Sequence, residues 1–354
     1  DASVVKKLSE AELWAGADRV VDGRVVAVAS GWDARHAGLD THVRVRARDG
    51  TSVEIVQPGG TLPSGDRHVI PGMPEFSVGE SVRVFLRRQG AAYRVYGWAQ
   101  GKWTEKLVDG RRAFAPAPLA ATERSGLLYF TTNGMVWPPS KIPVAYLVHQ
   151  NGSDDVPLAE VKTAISASFQ TWQDVPCSSL TYTYAGDTGL GMAVDGQNVI
   201  LWIEQGWVYG AEAAAATSLW IPVVEERTAD VAFNGEAFSW AISPVNVNPN
   251  VTQDIQGVLT HELGHFSGLG HTFSSVDTMY YSWRPWQSQR TLSADDKLGL
   301  CTLYPQNVDE CAGTPDCSGE ETCEPYAFGN LCTQPADPIG AFCNNERIEC
   351  SDFC

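Results

Sequence analysis

Cysteine is missing from the first 176 residues of this 354-residue chain, and all nine cysteines fall from Cys177 onward. The N-terminal half therefore folds without disulfide staples and offers no thiolate to a metal. Long apolar runs are missing too. A bilayer span takes about 20 consecutive apolar residues, and the best stretch here is broken by Glu204 and Glu212. Positive charge is scarce, with 25 Lys and Arg against 42 Asp and Glu and a net charge of −17. The arginines are scattered, without the interleaved aromatic residues that a single-strand groove needs, so nothing indicates nucleic acid and none is expected as a partner. Methionine occurs four times and histidine seven times, so a cluster of either is informative.

Such a cluster lies at residues 261 to 271, His-Glu-Leu-Gly-His-Phe-Ser-Gly-Leu-Gly-His. It reads H-E-x-x-H-x-x-G-x-x-H, a zinc-binding pattern in which every fixed position has a separate task. His261 and His265 are four apart and project from one helix face about one turn apart. Gly268 ends the helix in a left-handed turn that returns the chain and delivers His271 as a third nitrogen ligand. Three imidazoles leave the fourth tetrahedral position open, the layout of a catalytic zinc site. Glu262 is placed to take a proton from an attacking water. Upstream, Asn248, Asn250 and Thr252 are candidate N-caps, and Ile255, Val258, Leu259 and Leu263 form an apolar stripe. Downstream, residues 292 to 304 read as a helix capped by Ser293, with Asp295 and Asp296 in its first turn.

With Met279 and Tyr281 following the third histidine, the segment resembles the metzincin clan of zinc endopeptidases. Leu269 and Thr272 are closer to matrixins, whereas the Met279-x-Tyr281 spacing is closer to astacins and serralysins. The resemblance implies one catalytic Zn2+ on His261, His265 and His271, with Glu262 as general base and Met279 in a turn beneath the metal. It also implies that Tyr281 is a movable ligand that steadies the oxyanion. An α+β catalytic domain is expected, a twisted mixed sheet with three main helices. Its elements are strands at 142–149, 180–184, 198–203 and 213–221, a helix at 157–175, and a stretch at 229–233 just before another turn. The 213–221 strand would border the cleft, where an extended protein or peptide substrate adds as a strand. The 281–290 loop would wall the pocket after the scissile bond. Trp283 and Trp286 would make it apolar, Arg284 or Arg290 would select an acidic side chain, and the plainer reading turns both arginines to solvent. Asp187, Asp195 and Asp230 are possible calcium ligands, but there is no twelve-residue calcium loop and solvated loop charge is the simpler reading. The chain also lacks the further histidines of a matrixin structural zinc; His149 reads as a strand-end residue.

Composition divides the chain into 1–112, a linker at 113–124, a catalytic domain at 125–308 and a tail at 309–354. The first part has short strands at 20–29, 42–47, 53–57, 81–86 and 93–96 between Gly, Pro and Asp turns. This predicts a small all-β, barrel-like domain of oligonucleotide-binding shape, and it resembles the N-terminal modules of secreted bacterial metalloproteases. Residues 1 to 112 carry 17 Lys and Arg against 14 Asp and Glu, whereas residues 113 to 308 carry 7 against 18. Two readings stand side by side: docking of the first domain on the second, or acidity that keeps the chain soluble. Cys177 and Cys301 are candidates for one bridge. Seven further cysteines between Cys311 and Cys354 read as a disulfide scaffold rather than a zinc knuckle. Secretion is expected, with a targeting segment already removed before Asp1; the odd number of tail cysteines means either one free thiol or, the favoured reading, a natural chain that continues past Cys354.

The expected function is a secreted zinc endopeptidase. The alternative is a catalytically silent binding or adhesion protein on the same fold, against which Glu262 and all three histidines stand intact. A cysteine switch of the matrixin kind is excluded within residues 1 to 176. Latency, if the N-terminal domain imposes it, requires steric cover or a carboxylate on the metal, with release by cleavage near residues 111 to 124. A permanent accessory domain is the competing view.

Overall fold

The computed structural model describes residues 5–90, 92–108, 111–116, 130–224, 226–242, 252–272, 274–282 and 289–306, with the backbone of 322–326 and 329–333. The chain opens with a short helix, α1 (Glu10–Gly16). The Ser9 side chain accepts from the Glu12 N–H and the Glu12 carboxylate accepts the Ser9 N–H at 2.8 Å, a capping box that the strand-rich reading passed over. Strands β1 (Arg19–Trp32), β2 (Leu39–Ala47), β3 (Ser52–Pro58), β4 (Gly60–Thr61), β5 (Arg67–Val69), β6 (Ser81–Gln89) and β7 (Ala92–Val95) follow. The 14 residues of β1 are enough to pair with β6 at its start and with β2 along the rest. The order β1-β2-β3-β7-β6 thus returns to β1, and only β3 and β7 run parallel. Alternate residues, among them Val43, Val45, Val53, Ile55, Val82 and Val84, fill the interior of this cycle.

Strands β8 (Lys102–Val108) and β9 (Arg111–Pro116) extend the same sheet as a hairpin beyond β6. This moves the start of the expected linker. Ala113 to Pro116 form an edge strand, where proline costs no ladder bond, and only from residue 117 does the linker lie outside the described residues.

The second half contains β10 (Val144–His149), α2 (Leu158–Gln173), β11 (Tyr182–Thr188), β12 (Val199–Ile203), β13 (Ala215–Ile221) and β14 (Thr228–Asn234). Next come the parallel pair β15 (Ser239–Ala241) and β16 (Thr252–Asp254), then α3 (Ile255–Phe266) and α4 (Ala294–Leu303). The stretch read at 229–233 is a full, buried strand, β14, flanked by β12 and β13. Strands β11, β10, β12 and β14 run parallel, and β13 is antiparallel to β14. Helices α2 and α3 pack together: Trp172 Nε1 donates to the Thr260 carbonyl at 2.7 Å and Ser168 Oγ to the Gln256 carbonyl at 3.1 Å. Phe169 and Phe266 meet edge-on in the core behind α3. A Cys177–Cys301 disulfide ties the turn after α2 to α4.

The sheet does not end at β13. Its order is β11-β10-β12-β14-β13-β5-β4, so two strands of the N-terminal half complete it. Expected domain boundaries and sheet boundaries therefore differ. In the tail, β17 (Thr322–Tyr326) and β18 (Gly329–Thr333) form an antiparallel hairpin with Cys323 opposite Cys332. The other tail cysteines lie outside the described residues.

Candidate metal centre

Asp254 starts α3, its carboxylate accepting the Gly257 N–H at 3.0 Å. The cap is thus neither Asn248 nor Asn250, which lie outside the described residues, nor Thr252, which sits in β16. Arg290 grips the same carboxylate with two hydrogen bonds, Nε to Oδ2 at 2.8 Å and Nη2 to Oδ1 at 2.6 Å. Its guanidinium is committed to the helix cap, neither pointing to solvent nor waiting for an acidic substrate side chain. Trp283, Arg284 and Trp286 lie outside the described residues.

The helix ends at Phe266, and Gly268 turns the chain at φ +107°. A side chain there would meet the Met135 carbonyl oxygen at 2.2 Å, so both backbone angle and space require glycine. The returning loop is braced by a segment the sequence reading left without a role. Asn133 Nδ2 donates to the carbonyls of His265 at 2.8 Å and Leu269 at 3.0 Å. Thr131 Oγ1 donates to the His271 carbonyl at 2.8 Å, and Trp137 Nε1 to the Phe266 carbonyl at 2.9 Å.

These constraints bring the three imidazoles together, all deeply buried. The Nε2 atoms of His261 and His271 are 3.0 Å apart, and those of His265 and His271 are 2.9 Å apart. His261 Nδ1 lies 2.6 Å from the Thr278 carbonyl and His265 Nδ1 lies 2.8 Å from the Leu269 carbonyl. A carbonyl only accepts, so each Nδ1 carries the proton and each Nε2 turns a lone pair to the common centre. Burial pushes His265 and His271 well below the ordinary histidine pKa, which keeps them neutral as ligands must be. Three convergent imidazole nitrogens, joined by no further His, Cys, Asp or Glu among the described residues, fit a tetrahedral cation that keeps one position open. Among the described residues no other group of three or more metal-ligating side chains gathers.

Glu262 is wholly buried, and its Oε2 accepts from Thr217 Oγ1 of β13 at 2.5 Å. Met279 lies against α3 at Gly264, where a side chain would meet the Met279 sulfur at 2.1 Å. The turn carrying Met279 hangs from α4: Asp296 accepts the Thr278 N–H at 2.8 Å and the Met279 N–H at 3.1 Å. Asp296 also completes the Ser293 capping box, whereas the sequence shows it only as a favourable charge in the first turn of the helix. Tyr281 is half-buried with its ring 4.6 Å from that of Tyr280.

The three aspartates considered for calcium form no metal-ligand group among the described residues. Asp187 pairs with Lys162 at 2.5 Å, and Asp195 accepts the Gln197 N–H at 2.9 Å. Asp230 is no solvated charge: it is buried in β14, where it accepts from Val199 at 2.9 Å and Ala193 at 3.0 Å. Burial raises its pKa well above the usual carboxylate range.

Residues 136–305 match the sequence model of the family described as matrixin. This segment is a matrixin domain. The chain is similar to Metalloendoproteinase 1-MMP of Arabidopsis thaliana, 29% identical over 160 residues, covering 42% of this chain and 39% of that protein. It is also similar to Metalloendoproteinase 4-MMP of the same plant, 33% identical over 72 residues, covering 20% of this chain and 21% of that protein. The matched stretches thus span less than half of either relative. The ion that suits the matrixin triad is zinc.

Proposed function

We propose that this protein is a secreted zinc endopeptidase that hydrolyses peptide bonds in protein substrates. One observation carries the reading: a buried carboxylate, Glu262, is held by Thr217 on the strand beside three converging buried imidazoles. When bound there, zinc supplies Lewis acidity that polarises a scissile carbonyl and makes a water more acidic. Glu262 takes that water's proton and passes it to the leaving amine. The hydrogen bond from Thr217 fixes the Glu262 carboxylate, so little reorganisation is left for the reaction itself. Tyr281 steadies the developing oxyanion, a contact made mainly in the transition state. Trp283 and Trp286 favour an apolar side chain after the scissile bond.

A silent binding role is disfavoured because all four chemical groups are intact and organised. Secretion is supported by the Cys177–Cys301 bridge and the cysteine-dense tail. Among the described residues no helix is long and apolar enough to cross a membrane. Cleavage-site profiling on a peptide library, with and without a chelator, tests the reading. Chelation is expected to abolish cleavage and zinc to restore it, with apolar residues enriched after the cut. Cleavage that survives complete zinc removal overturns it.

A further inference from the structure

An extended peptide whose carbonyl is to meet Glu262 has one sheet edge to run along, that of β13, because Thr217 of this strand touches the Glu262 carboxylate. That edge is occupied by the chain itself on both sides of Thr217. At one end Val5, fully buried, bridges antiparallel to Ala213 and parallel to Ser282, filling the space between β13 and the segment after the methionine turn. Ser282 Oγ donates to the Val5 carbonyl at 2.8 Å, and the Lys6 N–H donates to the Glu212 carbonyl at 3.0 Å. At the other end β5 pairs antiparallel with β13, Val69 opposite Leu219 and Arg67 opposite Ile221. His68 Nε2 lies 2.8 Å from Ser218 Oγ, and Asp66 accepts the Val223 N–H at 2.9 Å.

Between the two contacts lies an apolar seam in which Val5, Ile70 and Trp98 pack against Tyr209, Ala213 and Ala216. Polar anchors at its margin include Trp98 Nε1 to the Tyr209 carbonyl at 2.5 Å and the Gly97 N–H to Glu212 at 2.8 Å. Among the described residues no side chain from the N-terminal half joins the three histidines.

We propose that residues 5–98 are a self-docked latency unit that blocks the substrate edge of β13 by strand addition, and that activation requires this unit to leave, not merely the chain after residue 116 to be cut. The inference rests on the endopeptidase reading above. Backbone pairing plus a buried seam is non-covalent and survives a nick, so the cut chain stays latent until the two parts separate. The same edge then accepts substrate.

Two full-length variants test this from the N-terminal side, leaving the matrixin domain unaltered. Val5→Asp places a charge in the buried bridge, and Val69→Pro disrupts β5. Each zinc-loaded variant is compared with the wild-type chain for kcat/KM on a short internally quenched peptide and for hydrogen exchange of residues 213–221. Both variants are expected to lose exchange protection there and to raise kcat/KM by about tenfold or more. A variant whose N-terminal unit unfolds altogether serves equally, because the edge is then bare. In wild-type chain nicked at Arg124, the fragments are expected to co-elute and activity to stay at the intact level. The inference is overturned if 213–221 opens in the variants while kcat/KM stays near the wild-type value, or if nicking alone gives full activity with the fragments still joined. Equal cleavage by all species removes this inference only; cleavage by none removes the endopeptidase reading with it.

Discussion

At the residue scale the chemistry depends on small groups that hold large ones. Thr217 has no charge and no metal-binding capacity, yet its hydroxyl fixes the Glu262 carboxylate at 2.5 Å. Replacing it with valine keeps the shape and removes the donor. A hydrogen bond to a charged group is worth about 1.5–3 kcal/mol, so kcat is expected to fall roughly ten- to a hundredfold. KM and zinc content are expected to change little, because neither the ligands nor the cleft wall has moved. Steady-state kinetics with metal analysis checks this. A variant that loses zinc instead would place Thr217 in the metal site's architecture rather than in proton transfer.

At the element scale α3 is held at both ends by residues outside the motif. Arg290 and Asp254 secure its start, and the 131–137 strap secures the loop beyond it. The side chain of Asp254 is only 9% exposed, so removing Arg290 takes the guanidinium from a nearly buried carboxylate. Arg290→Ala is expected to lower stability by roughly 2–3 kcal/mol and to leave the cleavage-site profile unchanged. Denaturant unfolding and the peptide library together check it; a changed preference for acidic residues would return Arg290 to the substrate pocket.

What could be read from the sequence divides along the same line. The ligands, Glu262 and Gly268 declare themselves through spacing, Met279 through the family resemblance, and β10 to β13 with α2 to α4 through their residue patterns, whereas the short strands β15 and β16 do not. Nor do the supports. Asp254, Arg290, Asn133 and Asp296 make these supporting contacts across 17 to 136 residues of chain, and no local pattern marks a side chain whose partner is distant. Gly264 falls at a variable position of the motif, and the Met279 thioether and the Trp172 ring packed against it explain why glycine stands there. Strand β5 is not legible in the sequence, because three residues carry too little alternation to register and its pairing partner lies 150 residues away.

At the scale of the whole molecule the two halves share one sheet, and their junction contains a titratable group. His68 is buried; its Nδ1 accepts the Leu39 N–H at 2.8 Å while Nε2 meets Ser218. Burial lowers its pKa from 6.5 to about 4. The neutral form is therefore favoured in the folded state, and its contribution is complete above the unfolded value of 6.5 and lost as pH falls towards about 4. Glu212, at the same junction, is shifted upward by burial, so its protonation on acidification partly offsets the loss. Exchange protection of 213–221 is expected to weaken between neutral pH and about pH 5, and His68→Gln to flatten that dependence. Protection equal at both pH values in the wild-type chain would remove His68 from the junction's energetics.

The most direct test of the account concerns Glu262, in a chain whose β13 edge has been opened by Val5→Asp. Zinc content and peptide turnover are measured side by side with Glu262 present and with Glu262→Ala. Both proteins are expected to hold one zinc, since the three histidines are untouched, while turnover falls roughly 10²–10⁴-fold in the variant. Zinc-loaded Glu262→Ala that cleaves as fast as its parent would contradict the account.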